Sequence, residues 1–385
     1  MAVADEPQTG KTTGGTDKHA GRFTGRGRPL VKDAISKPES GTVILILLIG
    51  LGFALLNSHF FTSGNLATLS LDATVVMSLA IGQAFVLLTG NIDLSSGSLA
   101  AFGGVLVAII ANAGVPWELA ILLACLTTAA AGVVNGVITY YARIPSFLAT
   151  FGMLGVGETL ALLLSHATSV QVNNISFAYL GVSAIGGVPV AVVIVVGIML
   201  VAEIILRRTV FGFDLYAIGG NQRGAELAGI RVGRVTIGAF AFSGLLAGFG
   251  GCITTSQLMA GYPSSGTGDT LFDAIAGAVV GGVSLFGGVG SALGAFLGAL
   301  LIGTIQDGLN VVAISYSWQP LIIGVVIVIG VFYDVTARRT HIGARLRAFA
   351  TLRGGKRPAG SAGPPLDAGP QPDQVGAPAT TGAEP

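Results

Sequence analysis

Apolar stretches of about the length of a bilayer-crossing helix alternate with short polar breaks along most of this chain. Basic residues divide the pattern. All 20 Lys and Arg fall into four groups: Lys11 to Lys37, Arg143 alone, Arg207 to Arg234, and Arg338 to Arg357. Insertion resists carrying such residues across beside a span, so they mark the cytoplasmic face. With all four groups on one face, every interval between them holds an even number of crossings. The interval 38–142 accommodates four, at about 42–60, 66–89, 94–113 and 117–141. The interval 144–206 accommodates two, at about 145–165 and 186–206, separated by the polar stretch Ser165 to Gly186. The interval 235–337 accommodates four, at about 235–256, 270–286, 289–309 and 311–333. The pattern predicts an all-α polytopic membrane protein of about ten transmembrane helices, with both termini in the cytoplasm.

Composition agrees. The chain is 52% hydrophobic and 10% charged, with a mean hydropathy of +0.78, whereas a soluble domain carries roughly 25% charged residues. A net charge of +1 leaves no concentrated basic face, so nucleic acid is not an expected partner. Cys125 and Cys252 lie inside apolar runs and His19, His59, His166 and His341 are scattered, so neither a disulfide framework nor a metal site is implied. Residues 1–40 read as a polar, disordered cytoplasmic arm without a cleavable signal, and 338–385 as a Pro/Gly/Ala-rich disordered tail, which leaves 41–337 as the membrane domain. Gly10-Lys11-Thr12 mimics the end of a phosphate-binding loop, but Asp5 stands where its first glycine belongs and no strand precedes it.

The segment 270–286 departs from a simple span. It carries Asp273, Gly277, Gly281 and Gly282 and turns back at Gly287-Gly288; a re-entrant or half-length helix packed inside protein is the alternative. Glycines spaced four apart, Gly290/Gly294/Gly298 and Gly244/Gly248, predict close helix–helix approach.

A second irregularity is the string Gly90-Asn91-Ile92-Asp93-Leu94-Ser95-Ser96-Gly97-Ser98, set between two apolar stretches. Asn, Asp and Ser compete for backbone hydrogen bonds and favour a break or cap over a helix interior. Two readings stand: Asp93 or Ser95 caps the next helix, or Asn91, Asp93, Ser95 and Ser98 line a substrate path. Asp72, Glu158, Asp269, Asp273 and Asp307 also fall at or inside spans, where an ionisable group needs a cavity or a partner. Glu203 and Arg207 have the i, i+4 spacing of a helical ion pair.

The loop 207–234 is the longest connection on the basic side. Asn221 is placed to cap and Gly229 to end a helix of about two turns, roughly 10 Å long, which would present Glu226 and Leu227 to a cytoplasmic partner or pack as a plain connector. Together, 90–98, Gly219 to Gly229 and the run 234–251 resemble the permease subunits of ABC importers for ribose, xylose, galactose and related monosaccharides, over roughly residues 66–334. The string Gly-x-Ile-Asp-Leu-Ser-x-Gly-Ser is the part most particular to that sugar branch. The turn Gly287 to Gly290 departs from the family, where it is often basic.

The resemblance implies a permease fold of the type II, vitamin B12 permease-like kind, in a bacterial cell membrane. The protein would work as a homodimer with the sugar path between the copies, transporting by alternating access. It also implies a cytoplasmic ATP-binding subunit, which would hold ATP and Mg, and an extracytoplasmic sugar-binding protein. Gly219, Gly220, Asn221, Glu226, Leu227 and Gly229 match the family's ATPase-coupling loop, and Asn91, Asp93, Ser95 and Ser98 fall in the sugar-branch string. No cofactor, metal or covalent chemistry is expected of this chain. The competing readings are an ion-coupled secondary transporter using Glu158 or Asp307, or an ABC permease for a nucleoside or branched-chain amino acid. Paired broken helices are common in secondary transporters, and the sequence offers one convincing interruption without a counterpart in the other half.

Overall fold

The computed structural model describes residues 38–266, 268–325 and 328–329. The expected arm, apart from residues 38–40, and the expected tail lie outside these residues. Helices α1 (Pro38–Leu56), α2 (Ser63–Leu88), α3 (Ser96–Asn112), α4 (Trp117–Tyr141) and α5 (Ser146–Leu164) follow the first five expected spans to within a few residues. A short α6 (Ala178–Val182) precedes α7 (Val190–Arg208). Then come α8 (Val210–Gly220), α9 (Gln222–Leu227), α10 (Val232–Leu258), α11 (Asp269–Val280) and α12 (Ala292–Val311). Residues 319–325 and 328–329 are helical too. Among the described residues, 7 helices (α1, α2, α4, α5, α7, α10 and α12) are long and apolar enough to cross a membrane. The protein is a polytopic helical membrane protein.

Local chemistry sets the helix starts. Pro116, Pro145 and Pro189 stand immediately before α4, α5 and α7, where the N–H that proline lacks would have had no helical partner. Elsewhere a side chain caps: Thr62 accepts from Asn65 N and Ser291 from Gly294 N. Helix α10 stops at Met259, which turns left-handed at φ 50°.

Helices α2 and α10 form the centre, 83% and 72% buried over their apolar windows, against 11% for α1 and 17% for α5. The lipid-type surface of α1 is plain aliphatic: Leu47, Leu48 and Leu55 are 64%, 61% and 81% exposed. The central helices meet backbone to backbone. A Cβ on Gly132 of α4 would lie 2.2 Å from the Phe240 carbonyl of α10, and one on Gly244 would lie 2.3 Å from the Thr128 carbonyl of α4. A Cβ on Gly251 would lie 1.9 Å from the Ala100 carbonyl of α3. With no water to drive helices together in lipid, this approach is what dispersion and small residues supply.

Both ends of the bundle are tied by polar contacts. At one, Arg207 pairs with Glu203 as its spacing predicts and reaches Glu39 of α1, while Ser291 and the Leu293 N–H bond to Glu39 and Glu203 at 3.0 and 3.1 Å. At the other, Asn57 donates to the Val311 carbonyl at 2.8 Å and Asn112 to the Gln171 carbonyl at 2.7 Å.

Three expectations are corrected. The eighth segment is not a full-length span: α11 has 12 residues, about 18 Å, against a hydrocarbon core of about 30 Å. It packs antiparallel on α12, with Gly277 and Gly281 against Gly298 and Gly294. Gly290 drops out of the glycine ladder, because α12 begins at Ala292 and Gly290 sits at φ 147° in the preceding turn. The stretch Ser165 to Gly186 is more than a loop: β1 (Val170–Gln171) pairs with β4 (Ala260–Gly261). A hairpin of β2 (Ala184–Ile185) and β3 (Val188–Pro189) turns at Gly186 and Gly187, both at positive φ.

Gly251→Ala is expected to force α3 from α10 and cost about 1–3 kcal/mol, the usual range for overpacking. Gly155→Ala, whose Cβ would meet nothing within 4 Å, serves as the control. Thermal unfolding in detergent measures both, and equal midpoints would mean that the α3–α10 contact has slack.

Candidate functional site

Residues 89–95 leave the helix between α2 and α3 as a turn at Thr89-Gly90 followed by irregular backbone. The Thr89, Gly90 and Asn91 N–H groups bond back to the Val86 and Leu87 carbonyls, and several of the groups that follow find side chains. The Ile92 N–H donates to Ser146 Oγ at 3.2 Å and the Leu94 N–H to Thr150 Oγ1 at 3.0 Å, both on α5. Gln83 Nε2 of α2 donates to the Asp93 carbonyl. Asp93 Oδ1 takes the Ser95 N–H at 2.9 Å and the Ser95 hydroxyl at 2.6 Å, and Oδ2 takes Ser243 Oγ of α10 at 2.7 Å. Asn135 of α4 donates to Ser95 Oγ at 2.8 Å. Asp93 is thereby the node joining α2, α3, α4 and α10. Its charge is met by neutral donors, which makes a buried carboxylate tolerable.

Of the four residues read as candidates for a substrate path, three are sealed in this arrangement. Asp93, Ser95 and Ser98 are 0%, 0% and 1% exposed, and Ser98 Oγ donates to the Ser95 carbonyl at 3.0 Å. Asn91 reaches open space. It donates to Thr89 Oγ1 at 2.9 Å and lines a cavity of about 630 Å³ with Arg143, Ser146, Arg223 and Glu226.

The loop 207–234 holds two helices where the sequence suggested one. Thr209 caps α8 through the Gly212 N–H, and Asn221 caps α9 through the Gly224 N–H at 2.9 Å. Gly229 ends the turn at φ 85°, a conformation that glycine adopts without strain. Ala225 faces inward while Glu226 and Leu227 face out, Leu227 being 83% exposed. Val210 and Phe213 of α8 are also exposed, at 76% and 69%.

Helix α8 does what the sequence did not reveal: it ties the loop to the interruption. A Cβ on Gly219 would lie 1.9 Å from the Leu88 carbonyl and 2.3 Å from the Gly288 N, and the Gly288 N–H itself donates to Leu88 O at 2.9 Å. Gly287 in turn rests on Gly90. The end of α8, the end of α2 and the turn before α12 thus meet at one bare backbone junction. Next to it, Tyr216 donates to the Gly290 carbonyl at 2.8 Å. Burial, then the neighbouring Glu203 carboxylate, pushes the Tyr216 phenol up to about 12, so it remains a donor at neutral pH.

The remaining acids are distributed elsewhere. Asp307 accepts from Asn65 at 2.7 Å and Asp273 from Gln306 at 2.7 Å. Glu158 on α5 is partly exposed and makes no hydrogen bond or ion pair among the described residues. The structure also contains the second interruption that the sequence had hidden. Residues 259–266 and 268 between α10 and α11 are non-helical, so each half of the chain carries a break.

Residues 65–331 match a family model described as branched-chain amino acid transport system / permease component. The chain is 34% identical over 312 residues to the ribose import permease protein RbsC of Escherichia coli K12, covering 80% of this chain and 97% of that protein. It is 34% identical over 296 residues to the L-arabinose ABC transporter permease protein AraH of Azospirillum brasilense, 77% of this chain and 87% of that one. It is 31% identical over 292 residues to the D-allose transport system permease protein AlsC of Escherichia coli K12, 76% and 89% of the two chains. No solved structure matches the chain. With that match running from the start of α2 past the end of α12, the chain belongs to the permease-component family of branched-chain amino acid transport systems.

Proposed function

We propose that this protein is the membrane permease of an ATP-driven importer for a monosaccharide, working as a pair of copies in a bacterial cell membrane with the basic loop 207–234 in the cytoplasm. The observation that carries the reading is its likeness, over about four-fifths of its length, to a ribose import permease and to the permease of an L-arabinose ABC transporter. Ten crossings in the type II arrangement follow when the short α11, together with the non-helical strip before it, counts as one passage and the helix at 319–325 as another. A separate ATPase subunit binds ATP and Mg and hydrolyses the ATP, and an extracytoplasmic binding protein delivers the sugar. A branched-chain amino acid as cargo agrees with the family's description but not with the names of these relatives.

Helix α9 suits the ATPase contact. It is short, capped at Asn221, closed at Gly229, and presents Glu226 and Leu227 outward. Force applied there reaches α8 directly and, through Gly219, the Leu88 carbonyl and the turn Gly287-Gly288. Movement of α9 would then shift the end of α2 and the start of α12 together. Asn91 sits in the cavity beside α9, while Asp93, Ser95 and Ser98 serve this step as positioning residues: they fix α3 to α2, α4 and α10 so that the push moves helices and does not merely unravel the break.

Leu227→Asp and Glu226→Arg are expected to leave the protein inserted and assembled while ATP hydrolysis no longer drives uptake. Unchanged sugar uptake in reconstituted vesicles with both substitutions would sink the docking role. Gly219→Ala is expected to reduce coupled uptake at least tenfold, because its Cβ collides with backbone, whereas Gly220→Ala meets open space and should be tolerated. Equal activity of these two variants would separate α8 from the transmission route. Asp93→Ala strands three buried donors and should cost about 1–3 kcal/mol in unfolding, with Asp93→Asn milder; a wild-type melting temperature for Asp93→Ala would return the residue to direct sugar contact.

A further inference from the structure

The second interruption lies deep in the bundle, yet it is open. Gly261 packs on the Gly104 carbonyl and Gly266 on the Gly97 carbonyl of α3. Those contacts fall 8 and 15 residues before Asn112, the last residue of α3, or about 12 and 22 Å below that end of the bundle. At this depth Tyr262 is 40% and Phe272 57% exposed, and Ser264, Gly268 and Asp269 are exposed as well. Non-helical backbone at membrane depth cannot face lipid, because its polar groups would have no partner; it must face protein or water. The contrast with the first interruption is plain, since Asp93 and its neighbours are shut inside the bundle.

The first turns of α11, which follow the strip in the chain, line a cavity of about 240 Å³ through Asp269, Phe272 and Asp273, with Gln306, Gln319 and Ile323 among the residues opposite. Asp273 is 4% exposed and, among the described residues, receives a hydrogen bond only from Gln306, leaving a carboxylate oxygen for a donor in the cavity. Glu158 of α5, which does not line this cavity, lies at similar depth along α3. Its neighbour Gly157 seats on Ser98, one residue along α3 from the Gly97–Gly266 contact.

We propose that the strip Tyr262 to Gly266 and the adjoining cavity form the wall of the sugar path, with Asp273 and Gln306 as the pair that meets sugar hydroxyls. The proposal rests on the reading of this protein as a sugar import permease and assigns that path to α11, α12 and the strip before α11 instead of to residues 91–98. The chemistry suits a polyol. A carboxylate accepts from adjacent hydroxyls, an amide both donates and accepts, and the rings of Tyr262 and Phe272 offer apolar faces to C–H surfaces. A second copy of the chain, facing the strip, would close the path on its other side.

The test uses the whole transporter in sealed vesicles, with its ATPase and binding protein, and D-ribose, L-arabinose and D-allose as probes. Cysteine is placed singly at Phe272, at Ser264 and, as a lipid-facing control, at Leu48; the two native cysteines are buried. The cysteine thiolate, which forms only where water reaches, attacks a charged, membrane-impermeant thiol reagent. Phe272→Cys and Ser264→Cys are expected to react roughly tenfold or more faster than Leu48→Cys, and to be slowed by whichever probe sugar is transported. Asp273→Asn, which keeps the size of the side chain, should lower uptake about tenfold or more without loss of membrane abundance. Labelling no faster than at Leu48 would overturn the proposal, and so would wild-type uptake of all transported probes by Asp273→Asn. Labelling does not depend on transport. Rapid modification in a transporter that moves none of the probes with ATP would therefore overturn the sugar assignment and the importer reading together, while leaving a wetted strip.

Discussion

A bilayer offers no hydrogen bonds to a peptide group, so every residue that leaves a helix inside it must be satisfied by protein or by a water-filled path. That constraint orders this structure. The chain breaks twice within its bundle, at 89–95 and at 259–266 and 268, and much of the buried polar chemistry serves one break or the other. Gln83, Asn135, Thr150 and Ser243 are each 0–1% exposed on four different helices. Without the first break they would be costly polar groups in an apolar core; with it, Gln83 and Thr150 become partners of freed backbone groups, and Asn135 and Ser243 partners of the Asp93–Ser95 pair.

The same constraint explains the demand for close packing. A break supported by side chains from α2, α4, α5 and α10 holds only if those helices stay within hydrogen-bond reach. The glycine contacts along α4–α10 and α3–α10 provide that proximity, and they leave little room for these helices to move independently. Motion originating at α9 must therefore travel as displacement of whole elements, through the backbone junction of Gly219, Leu88 and Gly288, where no side chain is present to absorb it.

The sequence was legible where one physical term dominates. Hydropathy located the long helices, and the Glu203–Arg207 spacing, the Asn221 cap and the Gly229 stop are local signals that the structure reproduces. It was less legible where the signal is distributed. Helix α8 follows directly on Arg207-Arg208 and mixes three glycines with aromatic residues, so neither periodicity nor propensity announces it. The partners of Asp93 lie at positions 83, 95 and 243, too scattered in sequence for any motif to join them. The break after Leu258 reads as an ordinary loop, because nothing in its own residues says that it folds back against Gly97 and Gly104. A missing side chain can carry more of this information than a large one: glycine records where another backbone passes, but only once the neighbour is known.

The two breaks differ in what satisfies them, and this separates their roles. At the first, both oxygens of the Asp93 carboxylate are claimed by protein donors, although Gln83 Oε1, Ser96 Oγ and Asn135 Oδ1 nearby are buried with no hydrogen-bond partner among the described residues. A sugar could therefore reach Asp93 only by displacing bonds that hold four helices together. At the second, the strip carries the exposed ring of Tyr262 and leads into α11, whose Phe272 is also exposed and whose first turns line a cavity. A hydroxyl-bearing molecule could take up an available carboxylate oxygen there without dismantling the bundle. A transport cycle needs both properties, in different places: a tight node that keeps helices in register while they move, and a wet surface whose contacts are weak enough to release what they bind. Placing the node beside the loop helices and the wet surface deeper in the bundle allows a push at α9 to be transmitted before it alters the path.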